Sequence, residues 1–115
     1  MDDHAVYEGK VEGVFSGDDL VIMVDLRTED LFKRQRVRLD GVDTPNAVGL
    51  PEDSPAGKVR KEVLSLVRNR SVRISRIRRK STSWVAVVEI LGDRPLNLND
   101  YLIQKGYDFK RREPQ

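Results

Sequence analysis

"VRLDGVDTPN", residues 37–46, changes character at its middle. Val37, Arg38 and Leu39 alternate apolar with charged, as a strand buried on one face does, and Asp40-Gly41 and Asp43-Thr44-Pro45 then supply turn-forming residues. A strand thus delivers Arg38 into a turn rich in carboxylates and closes on Asn46. Asp40 is placed to pair with Arg38. Upstream, "GKVEGVF" (9–15) alternates weakly, "LVIMVDL" (20–26) is almost wholly apolar and β-branched, and "KRQRVRL" (33–39) alternates at its end. Ser16-Gly17-Asp18-Asp19 and Arg27-Thr28-Glu29-Asp30 separate these runs, so the first part of the chain reads as a three-stranded meander. Asp18 is suited to cap the first hairpin.

Downstream, a loop over 47–53 leads to Ser54 as N-cap and Pro55 as first helical residue. Val59, Val63, Leu66 and Val67 then recur at helical spacing opposite Lys58, Lys61, Glu62, Ser65 and Arg68. "SVRISRI" (71–77) reads as a strand, 78–83 as a polar turn, and "WVAVVEIL" (84–91) as a strand buried on both faces. After the turn "GDRP", Leu98, Leu102 and Ile103 form a helical stripe that Gly106 ends. The order β-β-β-α-β-β-α predicts one mainly β domain over 1–115, a five-stranded OB-type barrel with helices at its ends. Residues 1–7 and 110–115 are expected to be disordered.

The chain has 115 residues, enough for one core. It has no cysteine, which rules out disulfides and thiolate metal sites within it. No apolar run suggests a signal peptide or a membrane span, so an intracellular, cytoplasmic protein is expected. The net charge of +2 conceals an asymmetry: residues 58–80 hold 10 Lys/Arg against 1 Asp/Glu, and residues 1–57 hold 6 against 13. Such a block favours a polyanion, and Arg68, Arg70, Arg73, Arg76, Arg78, Arg79 and Lys80 are the candidate nucleic-acid contacts. Lys110, Arg111 and Arg112 would add to them; Trp84, Tyr107 and Phe109 are candidate stacking rings, with a core position favoured for Trp84. Tyr107 or Phe109 is expected to pack back on the barrel. His4, the lone histidine, carries no catalytic case.

Four stretches in order resemble the staphylococcal nuclease-like (thermonuclease) domain family over nearly the whole chain. "SGDDLVI" is similar to its Gly-Asp turn, and "VRLDGVDTPN" to its Arg-Leu-x-Gly-Ile/Val-Asp-Thr-Pro-Glu stretch. "TSWVAVV" falls where the family has Tyr-Gly-Arg-x-Leu-Ala-x-Val, and "LNLNDYLIQKG" resembles its closing helix. The resemblance implies a Ca²⁺-dependent phosphodiesterase on a five-stranded barrel. Asp18 and Asp43 would be metal carboxylates, Thr44 would offer its carbonyl, and Arg38 would hold the phosphate, which gives the arginine among acids a reason. Hard cations take oxygen ligands, and phosphoryl transfer needs cationic donors where charge develops.

Two positions depart from that pattern. Asn46 stands where the family has the glutamate that handles the attacking water, and an amide takes up no proton near neutral pH. Ser83 stands where the family has its second arginine. A lost base costs about 10²–10⁴ in rate and a lost transition-state donor about 10²–10³. Glu52 or Asp53, and Arg78 or Arg79, are the substitutes nearest in sequence. The expectation is therefore a nuclease-fold protein with a degenerate catalytic site, acting as a binding module for DNA or RNA. An active Ca²⁺-dependent endonuclease and a protein-binding adaptor are the alternatives, the adaptor resting on the acidic first half meeting a basic partner.

Overall fold

The structure, a computed structural model, describes residues 5–107. Its elements are β1 (Tyr7–Ser16), β2 (Asp19–Asp25), β3 (Phe32–Leu39), α1 (Pro55–Val67), β4 (Ser71–Arg79), β5 (Trp84–Ile90), β6 (Leu96–Asn97) and α2 (Leu98–Gln104). The sheet runs β3-β2-β1-β4-β5-β6, and β3 pairs again with β5 through Val37, Arg38 and Leu39. That parallel pairing closes a five-stranded barrel of OB type. No helix among the described residues is long and apolar enough to cross a membrane.

The remaining edge of β5 is filled piece by piece. β3 covers Trp84 to Ala86 and β6 covers Glu89 and Ile90. Between them Asn99 of α2 accepts a hydrogen bond from the Val88 N–H at 3.0 Å and donates to the carbonyls of Ala86 and Asp40 at 3.1 and 3.0 Å. A buried asparagine thus satisfies the Val88 N–H, which neither strand reaches, and adds a second donor to the Ala86 carbonyl, which also accepts from the Asp40 N–H at 2.8 Å.

Alternation decides what lies inside. Leu20, Ile22 and Val24 of β2, Val37 and Leu39 of β3, and Ala86, Val88 and Ile90 of β5 point into the core. Val59, Val63 and Val67 of α1 meet them, while Leu66 is only half-buried. Ser54 caps α1 by accepting from the Gly57 N–H at 3.0 Å, and Pro55 opens it. A side chain on Gly9 would collide with the Met23 carbonyl, so glycine allows β1 to press against β2 while it also pairs with β4.

The structure corrects several expectations. Tyr7 lies in β1 opposite Ile74, so order begins before residue 8; residues 1–4 and 108–115, with His4, Phe109, Lys110, Arg111 and Arg112, lie outside the described residues. Arg78 and Arg79 are strand residues opposite Val85 and Trp84, because pairing with β5 outweighs their polarity. The register shifts between Ser75 and Arg78, where Arg76 adopts a φ of 51°. This bulge turns Ile77 back into the core after Val72 and Ile74. β5 is buried on one face only: Val85, Val87 and Glu89 are half-exposed. Asp40 pairs with Arg78 at 2.9 Å rather than with Arg38. Tyr107 packs against the barrel as expected and donates its hydroxyl to Glu62 at 2.8 Å, beside the Tyr101 hydroxyl on the same carboxylate. The hydrogen bond to Glu62, with burial, pushes the Tyr101 phenol up to about 12.

Candidate nucleic-acid interface

The outward face of β3 carries Arg34, Arg36 and Arg38, while Gln35, Val37 and Leu39 turn inward. Residues two apart on a strand stand about 6.5 Å from one another, so the guanidinium groups form a row. Each has an acidic partner: Arg34 pairs with Glu12 at 2.8 Å, Arg36 with Asp19 at 2.6 Å, and Arg38 with Asp18 at 3.4 Å. Arg36 holds Asp19 in a fork, with Nε on the other carboxylate oxygen at 2.9 Å.

At the Arg38 end lies a pocket of about 180 Å³ lined by Asp18, Asp19, Arg36, Arg38, Thr44 and Asn46, with Ser16 and Val48 at its margin. The first hairpin places Asp18 here. A side chain on Gly17 would strike Val59 of α1 and Thr44, so only glycine lets the turn sit this deep. The Thr44 hydroxyl donates to Asp18 Oδ1 at 2.9 Å and accepts from the Asp18 N–H at 3.1 Å. Burial pushes the Asp18 carboxyl above its ordinary value, against the opposing pull of Thr44 and Arg38. Asn46 accepts from the Val48 N–H at 3.0 Å, and Ser16 accepts from the Ala47 N–H at 2.9 Å, so both side chains tie down the loop that follows.

Asp18, Arg38, Thr44 and Asn46 are therefore brought together. Asp43 is half-buried one residue before Thr44 and is not part of the pocket lining. Among the described residues, no three Asp, Glu, His or Cys side chains gather as a metal site. Asp18 already accepts from Thr44 and Arg38, and Asp19 from Arg36, so a Ca²⁺ ion here would compete with those donors and need further oxygens.

Ser83 lies elsewhere. It is buried, and it lines an open groove of about 460 Å³ between β3 and the β4–β5 turn. Lys33, Arg34 and Arg36 face this groove from β3; Lys80, Ser81, Thr82 and Ser83 face it from the turn, and no carboxylate lines it. Arg36 belongs to both depressions, so the groove continues into the Asp18 pocket. Lys80 makes no ion pair among the described residues, and Lys33 rests its ammonium over the Trp84 ring at 5.3 Å.

The basic block of the sequence is dispersed by the fold. Arg68 caps the end of α1. Arg70 donates to the Leu91 carbonyl at 2.7 Å, Arg73 pairs with Glu89 and Glu8, and Arg76 forms the bulge. Arg78 is held by Asp40, and Arg79 covers Trp84 at 4.7 Å. Lys80 is the member of the block that lines the groove. Trp84 is only 3% exposed and is enclosed by Tyr7, Lys33 and Arg79, so it is a core ring rather than a stacking platform. Sequence reasoning missed Lys33, Arg34 and Arg36; the alternation of "KRQRVRL" carries the signal for the two arginines, whereas Lys33 shares the parity of Gln35 and Val37 and reaches the groove from over the Trp84 ring. Compared with models of protein families and with curated protein sequences, the chain matches none.

Proposed function

We propose that this protein is a staphylococcal nuclease-like barrel with a degenerate catalytic site that binds a strand of nucleic acid without efficiently cutting it. One observation carries this reading: the groove beside β3 gathers Lys33, Arg34, Arg36 and Lys80 and no carboxylate. Arg34 and Arg36 are already paired with Glu12 and Asp19, so the uncompensated charge in the groove is that of Lys33 and Lys80. A polyanion gains most from such cations, and OB-type barrels bind strands across such a surface. The hydroxyls of Ser81, Thr82 and Ser83 are suited to donate to phosphate oxygens there.

Asn46 and Ser83 support the loss of chemistry. Asn46 is engaged in its own loop, and Ser83 brings no cation to the groove. A general base and a transition-state donor are thus both lacking at those positions. Asp18 and Arg38 neutralise each other, and Ca²⁺ has no part in the binding as proposed.

A second reading, a Ca²⁺-dependent endonuclease with substituted residues, is favoured by the convergence of Asp18, Arg38 and Thr44 in one pocket. Incubation of a labelled single-stranded oligonucleotide with the protein separates the two, in Ca²⁺, in Mg²⁺ and in EDTA. The expected result is retention of intact oligonucleotide under all three conditions. Cleavage that requires a divalent ion and disappears in Asp18→Ala or Asp43→Ala would establish the second reading; the absence of both binding and cleavage would leave a protein partner as the ligand.

A further inference from the structure

A third concavity, of about 280 Å³, lies between the end of β1, the 47–53 loop and the first turns of α1. Phe15, Val48 and Leu50 on its wall are 41%, 65% and 52% exposed, although all three are apolar. Glu52 and Arg60 also line it. The loop lies directly on the helix, because a side chain on Gly57 would meet the Glu52 backbone, and Arg60 stands one turn beyond Gly57. Arg60 is fixed by its Nε–H, which donates to the Val14 carbonyl at 2.7 Å and leaves the outer nitrogens of the fork for another acceptor. Neither Arg60 nor Glu52 forms an ion pair with a described residue. Two opposite charges therefore share one cavity, beside the apolar side chains of Phe15, Val48 and Leu50, without neutralising each other.

This concavity adjoins the interface proposed above. Val48 lines both it and the Asp18 pocket. Arg36, which faces the Asp18 pocket and the cationic groove, lies over the Phe15 ring at 5.1 Å. A strand whose phosphate meets Arg36 has a neighbouring base within reach of Phe15. We propose that the concavity seats one nucleobase of that strand and prefers guanine; the inference rests on the nucleic-acid reading and adds the base it selects.

The chemistry is complementary. Phe15 and Leu50 offer apolar surface to a base face, and stacking or apolar contact alone accepts any base. Selection comes from the edges. Guanine presents O6 and N7, two acceptors that match a guanidinium fork, and its N1–H and N2 amino group donate to a carboxylate. Adenine places an amino donor where Arg60 needs an acceptor, and thymine has no amino group for Glu52.

The test is a fluorescence-anisotropy titration of the protein with a short labelled oligo-dT and with the same oligonucleotide carrying one central dG. The dG-containing strand is expected to bind roughly tenfold tighter. Arg60→Lys keeps the charge but loses the fork, and Glu52→Gln lies on an exposed loop; in each the ratio of the two affinities should fall towards one. Circular dichroism of both variants verifies the fold. Equal binding of the two strands by the wild type would overturn the base pocket while leaving the nucleic-acid reading intact. A dG preference that survives both substitutions would overturn the assignment to Arg60 and Glu52, and failure of both strands to bind would overturn the nucleic-acid reading and this inference with it.

Discussion

The pocket around Asp18 and the groove beside Lys80 share Arg36 yet differ in how their charge is balanced. In the pocket, Asp18 and Asp19 face Arg38 and Arg36, and the four formal charges cancel. In the groove, Lys33 and Lys80 have no carboxylate against them. The pocket carries most of the residues on which the resemblance to a nuclease rests, and under the proposed function the groove would carry more of the attraction for a polyanion. Charge counted along a sequence is a poor guide to where a ligand is drawn: what matters is which cations the fold leaves uncompensated. The carboxylates of these pairs are buried while Arg36 and Arg38 are about half exposed, so loss of an arginine or of the Thr44 hydroxyl leaves a buried acid short of a partner. Changes in the pocket should thus act on stability, and changes in the groove on binding.

The largest effect is expected from Thr44→Val. It removes the hydroxyl that serves both the buried Asp18 carboxylate and the Asp18 N–H, at a cost of about 2–3 kcal/mol in denaturant unfolding. Retained stability in this variant would mean that the pocket is not the rigid element of the comparison. A smaller change is expected from Asp18→Asn, read by thermal melts from acid to neutral pH. Because burial raises the folded-state value of this carboxyl above its unfolded one, its contribution to stability is greatest below the unfolded value and is lost as pH rises through the raised value. The variant lacks that titration, so its melting temperature relative to wild type should increase as pH rises through the same window. The opposite trend would show that Arg38 outweighs burial.

The smallest effect is a gain. If Asn46 and Ser83 mark the lost chemistry, Asn46→Glu combined with Ser83→Arg should give Ca²⁺-dependent cleavage above wild type, and each single change less, since residues that act as a unit are non-additive. A folded double variant that shows no Ca²⁺ binding by calorimetry would mean that Asp18, Asp43 and Thr44 are turn residues and not latent ligands.

The succession of elements along the chain, apart from the two-residue β6, and the first helix were legible because their signals are local. Ser54-Pro55 marks a helix start, and Val59, Val63 and Val67 mark its buried stripe. The bulge in β4 was also written in the spacing of Val72, Ile74 and Ile77, where the period of two breaks, but a run of arginines beside it read more simply as a turn. The gap-filling role of Asn99 was not legible, since it depends on where β3 stops pairing with β5. The same limit applies to the candidate interface. Alternation in "KRQRVRL" shows that arginines share a face, but their partners Glu12, Asp19 and Asp18 come from other elements. Likewise Lys80 differs from Arg78 only through Asp40, 38 residues from Arg78 along the chain.

Salt-dependent binding tests the role of the groove most directly. A labelled single-stranded oligonucleotide is titrated over a series of salt concentrations in EDTA, with the wild type, with Lys33→Gln/Lys80→Gln and with Arg38→Gln. Each phosphate contact on a single strand contributes about −0.7 to the slope of log K against log[salt]. The expected result is a steep negative slope for the wild type, a slope shallower by about 1.4 for the double lysine variant, and a smaller change for Arg38→Gln, whose charge is already balanced by Asp18. Binding that ignores salt, or that depends on Arg38 while remaining indifferent to Lys33 and Lys80, would contradict it.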